Sequence, residues 1–112
     1  MAAEEPHARA FERFGLEPPM RATVCAGHDT SELAGRVKDL GGGGVKIETL
    51  NELPEGTPII VTLWTPWGSV TLGGKVVWRR RSEQEAVHGF MFDVPIGDAR
   101  ARQLYEEAGP KG

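Results

Sequence analysis

From residue 20 onward, short runs rich in apolar and β-branched residues alternate with clusters of Gly, Pro, Asn and Asp. The runs cover 20–26, 32–40, 45–49, 58–64, 69–79 and 87–94, and each has the length and composition of a strand. Turn signals separate them at Gly27-His28-Asp29, in the glycine run 41–44, at 51–56 around Pro54, at Thr65-Pro66-Trp67-Gly68 and across the polar stretch 80–86. Six strands with a turn about every ten residues predict a small barrel or sandwich. In 69–79 the alternation puts Val70, Leu72, Gly74, Val76 and Trp78 on one face and Thr71, Gly73, Lys75, Val77 and Arg79 on the other. Gly73-Gly74 inside this strand favours the barrel, whose corners need sharp bends or close strand approach.

The period changes near the end of the chain. Ala101, Leu104, Tyr105 and Ala108 share a helical stripe, Asp98 stands where a cap belongs, and Gly109-Pro110 stops the run, which predicts a helix at about 97–108 docked on the barrel. The head also has helical spacing, over 6–14, but so short a segment does not hold a helix in water by itself. Residues 1–19 therefore read as a mobile N-terminal arm and 20–112 as the barrel with its C-terminal helix.

Composition narrows the function classes. A chain of 112 residues is one domain that buries roughly two-thirds of its unfolded surface. Its 39% hydrophobic and 26% charged residues exclude a disordered chain, and 15 Gly with 8 Pro exclude a coiled coil. Thirteen basic against sixteen acidic residues give a net charge of −3, which argues against a nucleic acid polymer as partner, since that needs a basic face. A small nucleic-acid-binding barrel stays a third reading, without the interleaved aromatic and lysine positions it calls for. Cys25 is alone, so neither an internal disulfide nor a paired-cysteine zinc site is available. No basic-then-apolar leader and no run of 18 apolar residues occurs, and the expectation is a soluble, cytoplasmic protein without membrane insertion. His7, His28 and His88 lie in the head or in turn and strand-edge positions, with no spacing that joins them to a nucleophile or a metal. We expect no enzyme, no metal and no cofactor.

Single motifs say little. Gly41-Gly42-Gly43-Gly44 is not followed by Lys-Ser or Lys-Thr and leads into a strand, so it reads as a hairpin connection rather than a phosphate loop. Trp64 and Trp67, on either side of Pro66, read either as an exposed aromatic contact or as core and rim. Arg79-Arg80-Arg81 reads as a solvated strand end.

The order of the pieces is more informative. Arg9-Ala10-Phe11-Glu12-Arg13 gives an R-x-x-x-R on the head, followed by a strand from Met20 and then by Asp39-Leu40-Gly41-Gly42-Gly43-Gly44 between two strands. This arrangement resembles the PilZ domain family, whose pattern is R-x-x-x-R followed by [D/N]-x-S-x-x-G. Gly56 through Val61, Val76-Val77-Trp78 and His88-Gly89-Phe90-Met91-Phe92 look like later strands of the same family, so the resemblance covers nearly the whole chain. It implies an all-β fold: a six-stranded antiparallel barrel of the split-barrel type with a C-terminal helix. It also implies a ligand, cyclic di-GMP, with Arg9, Arg13, Asp39, Gly41 and Gly44 at its site, and a signalling adaptor that passes ligand level to a protein partner yet to be identified.

The residue types suit that ligand. A guanidinium pairs bidentately with phosphate and stacks on a guanine face. A carboxylate at Asp39 accepts from the N–H donors of a guanine edge, and Gly44 lets the backbone come close to a ligand. Gly41 departs from the pattern: the family's serine hydroxyl is missing, a loss of about 1 kcal/mol for a neutral hydrogen bond. The alternative keeps the fold and drops the ligand, leaving a PilZ-like protein that acts as a protein interaction module in motility regulation.

Overall fold

The computed structural model describes residues 11–26 and 32–108. Six strands, β1 (Arg13–Ala26), β2 (Glu32–Gly41), β3 (Gly44–Thr49), β4 (Pro58–Thr65), β5 (Gly68–Arg81) and β6 (Ala86–Phe92), precede one helix, α1 (Gly97–Ala108). They close into a barrel in the order β1-β2-β3-β6-β5-β4, with every neighbouring pair antiparallel. Closure leaves no free sheet edge.

The barrel fills with the inward half of each alternating strand. Met20, Ala22 and Val24 from β1, Val45 and Ile47 from β3, and Ile59, Val61 and Leu63 from β4 are buried, while Ile60 and Trp64 of β4 face outward. Gly74 lies where β5 presses on β6, and a Cβ there would overlap the Met91 carbonyl, the close approach that the glycine pair foretold. Helix α1 covers one end of the barrel. Ala101 and Leu104 are sealed beneath it, and Tyr105 stacks on Phe14 at 5.0 Å between ring centroids.

Three irregularities break the ladders. Between Gly15 and Met20, β1 has more residues than the β2 stretch it pairs with, in a segment where Pro18 and Pro19 have no N–H to give. Strand β1 thus begins at Arg13, and of residues 13–19, read from sequence as part of the arm, Arg13, Phe14 and Gly15 pair with β2. In β2 the register shifts between Val37 and Asp39, and in β5 between Val76 and Trp78. Each of these two bulges holds one extra residue, Lys38 and Val77, and each reverses the facing of the residues beyond it. Trp78 was expected on the inner face with Val76; the bulge turns it outward, and it is 38% exposed.

Candidate functional site

The same device directs Asp39. Val37 and Leu40 are both buried, and strict alternation puts residues three apart on opposite faces. The Lys38 bulge absorbs the mismatch, so that Asp39 faces out. Register then aligns Gly15, Asp39, Lys46, Gly89 and Trp78 across five strands in one transverse row. Cross-strand neighbours present their side chains to the same face, and the two glycines leave gaps in the row.

Part of this row borders an open cleft of about 270 Å³, lined by Arg13, Asp39, Lys46, Trp78, Met91 and Phe11 among others. Its charges are linked. Arg13 Nη2 donates to Asp39 Oδ1, and Lys46 Nζ lies 3.7 Å from Asp39 Oδ2. The Trp78 indole lies over Gly89, where any side chain would overlap it, and the Arg80 guanidinium sits 5.8 Å above that ring. Arg80 is therefore part of the site's surroundings, whereas Arg79 and Arg81 are both taken up by Glu52, at 3.3 and 3.4 Å.

The glycine turn is built in rather than loose. The Gly42 carbonyl accepts from Ile96 N–H at 2.7 Å and Gly97 N–H at 3.3 Å, and the Gly43 carbonyl accepts from Phe92 N–H at 2.9 Å. Gly44 lines the cleft, but its need for glycine comes from β6, since a Cβ would overlap the Phe90 carbonyl. Gly41 pairs with Arg13 across β1 and β2, and a Cβ there would lie 3.0 Å from both Arg13 Cδ and the Glu12 carbonyl oxygen.

Of the residues singled out from sequence, Arg13, Asp39 and Gly44 line the cleft and Gly41 backs Arg13. Arg9 lies outside the described residues. Lys46 and Trp78 were not among the site residues read from sequence, though both line the cleft. Lys46 could have been found from the pairing of β2 with β3, and Trp78 only from the bulge. His88, expected at a strand edge, is instead buried in β6. Its Nε2 accepts from Leu53 N–H at 2.9 Å, and it takes no part in the cleft.

Comparison with known proteins agrees with this fold. The model of the PilZ domain family matches residues 7–107. The chain belongs to the PilZ domain family. No curated protein matches this PilZ domain by sequence. Among solved structures, it is similar to the PilZ domain with c-di-GMP of YcgR from Escherichia coli, with a TM-score of 0.66 and 20% identity over 84% of this chain and 83% of that one. It is also similar to YcgR in complex with c-di-GMP from Escherichia coli, with a TM-score of 0.62 and 26% identity over 84% of this chain and 41% of that one. This PilZ domain thus spans less than half of that YcgR chain.

Proposed function

We propose that this PilZ domain is a receptor for cyclic di-GMP and that it relays ligand occupancy to a protein partner. The observation that carries the reading is the meeting of Arg13 and Asp39, one from each motif, in a cleft that also holds an exposed indole. The ligand has anionic phosphates and flat guanines. Arg13, with Arg9 ahead of it, suits a phosphate or a guanine face, Asp39 suits the guanine N–H edge, and Trp78 suits a base as a stacking surface. A cleft of about 270 Å³ falls just below the roughly 300–1,000 Å³ that encloses a drug-sized ligand. The ligand therefore sits partly over the rim of the cleft.

The relay has a physical route. Glu12 N–H donates to Asp98 Oδ1 at 3.0 Å, Arg102 Nη2 meets Glu12 Oε1 at 3.2 Å, and Phe14 stacks on Tyr105 of α1. Both neighbours of Arg13 are thus fastened to the helix, so re-seating Arg13 on a ligand pulls on contacts that hold α1.

Calorimetric titration of the whole chain with cyclic di-GMP tests the reading. Saturable heat that disappears in Arg13→Ala is expected. A flat titration on folded protein would leave the alternative, an interaction module that works without the nucleotide.

A further inference from the structure

Asp39 faces two cations at once. Arg13 takes Oδ1, and Lys46 stands 3.7 Å from Oδ2 with its side chain 35% exposed. That distance is beyond ordinary hydrogen-bond length, so the ammonium's donors are not spent on the carboxylate. One carboxylate does not neutralise two cations, and the cleft wall keeps an excess positive charge on a chain whose net charge is −3. Lys46 also has a position that Arg13 lacks. It pairs with both Asp39 and Gly89, and beyond Gly89 stands Trp78. With no side chain at Gly89 the Trp78 indole lies over that residue, next to Lys46 in the row, so a phosphate on Lys46 and a base on Trp78 are neighbours.

Resting on the cyclic di-GMP reading, we propose that Lys46 is a second phosphate-binding residue of the cleft, donating to a phosphate oxygen alongside Arg13. It supplies this chain with a polar contact in a site where Gly41 offers no hydroxyl.

Titrations with cyclic di-GMP at several salt concentrations test this, using the parent chain, Lys46→Gln, Lys46→Arg, Asp39→Asn and the Asp39→Asn/Lys46→Gln pair. Lys46 is on the outer face, and thermal unfolding checks that each variant folds. Lys46→Gln is expected to lose about tenfold or more in affinity, as for a charged hydrogen bond, and to make binding less sensitive to salt. Lys46→Arg is expected to keep most of the binding. The loss at Lys46 is expected to persist when Asp39 is already Asn, because the contact is with the ligand.

Three results would overturn the proposal. Equal affinity and salt slope in Lys46→Gln, with Arg13→Ala still abolishing binding, would remove Lys46 and leave the receptor reading intact. A Lys46 effect that vanishes in the Asp39→Asn background would make it a residue that only positions Asp39. Absence of binding by the parent chain would remove both readings together.

Discussion

At the scale of single residues, the burial of His88 has a consequence for stability. Burial pushes its imidazole below the ordinary value, with the Ile47 backbone and the Glu52 charge pulling the other way, and Nδ1 makes no hydrogen bond of ordinary geometry. Nε2 accepts from Leu53 N–H, so the folded protein needs the neutral ring. The unfolded chain takes up a proton near pH 6.5, while the folded one does so only at lower pH. Stability is therefore full above about pH 6.5, falls as pH drops below it, and levels off beneath the folded-state value. Glu85, raised by the neighbouring Glu48 carboxylate, acts with the opposite sign, because there the folded state takes the proton first. Urea unfolding at a series of pH values is expected to show the decline, and His88→Leu to abolish the part due to the imidazole. That variant also leaves Leu53 N–H unpaired, at a cost of about 1–3 kcal/mol.

Arg13→Ala is expected to be benign for the fold. Its pair with Asp39 is at the surface, with the Arg13 side chain 40% exposed, and such pairs contribute about 0–1 kcal/mol. Its expected effect is on binding. Gly41→Ser restores the family pattern, yet the added carbon presses on the Glu12 backbone and on Arg13 itself. Parallel unfolding and titration of Gly41→Ser are expected to give lower stability and no tighter binding; tighter binding would mean that Arg13 moves aside at no cost.

At the scale of elements, the two bulges make the site. Lys38 and Val77 each add one residue, and the result is Asp39 and Trp78 on the same outer face. Gly89→Ala drives a Cβ into the Trp78 indole, so the ring must leave its seat. Tryptophan fluorescence that changes with ligand in the parent chain is expected to lose that response in Gly89→Ala and in Trp78→Phe, while Trp67→Phe keeps it.

The same bulges mark where sequence reading stops. Strand number, strand extents within a few residues except at the start of β1, and α1 follow from hydrophobic period and turn chemistry, because those are local. Arg13, Asp39 and Gly44, named from motif order along the chain, all line the cleft. The facing of Trp78 was misread because one extra residue, invisible in the pattern, inverts every later position of the strand. Lys46 was missed because its value lies in the strands beside it. The start of β1 was misread because Pro18 and Pro19 look like a boundary, whereas they occupy a stretch where the ladder is already interrupted.

At the scale of the whole molecule, the cleft and α1 are joined through residues 12–14 and through the glycine turn, whose Gly42 carbonyl holds Ile96 and Gly97 at the helix entrance. Under the proposed relay, a ligand at Arg13 is expected to change the protection of α1 as well as that of the cleft. Hydrogen exchange with and without cyclic di-GMP is expected to alter amides of 98–108 together with those of 12–15; a change confined to the cleft would separate the helix from the relay.

The most direct test of the central claim is an amide and indole NMR titration of the intact chain with cyclic di-GMP. Three tryptophans give three indole signals, and only Trp78 lines the cleft, whereas Trp64 donates to Thr23 Oγ1 and Trp67 is 81% exposed at the β4–β5 tip. The expected result is a saturable shift of the Trp78 indole, with the amides of Arg13, Asp39, Lys46 and Gly89, while Trp64 and Trp67 stay still. No shift at all, or shifts centred on Trp64 and Trp67, would contradict the account.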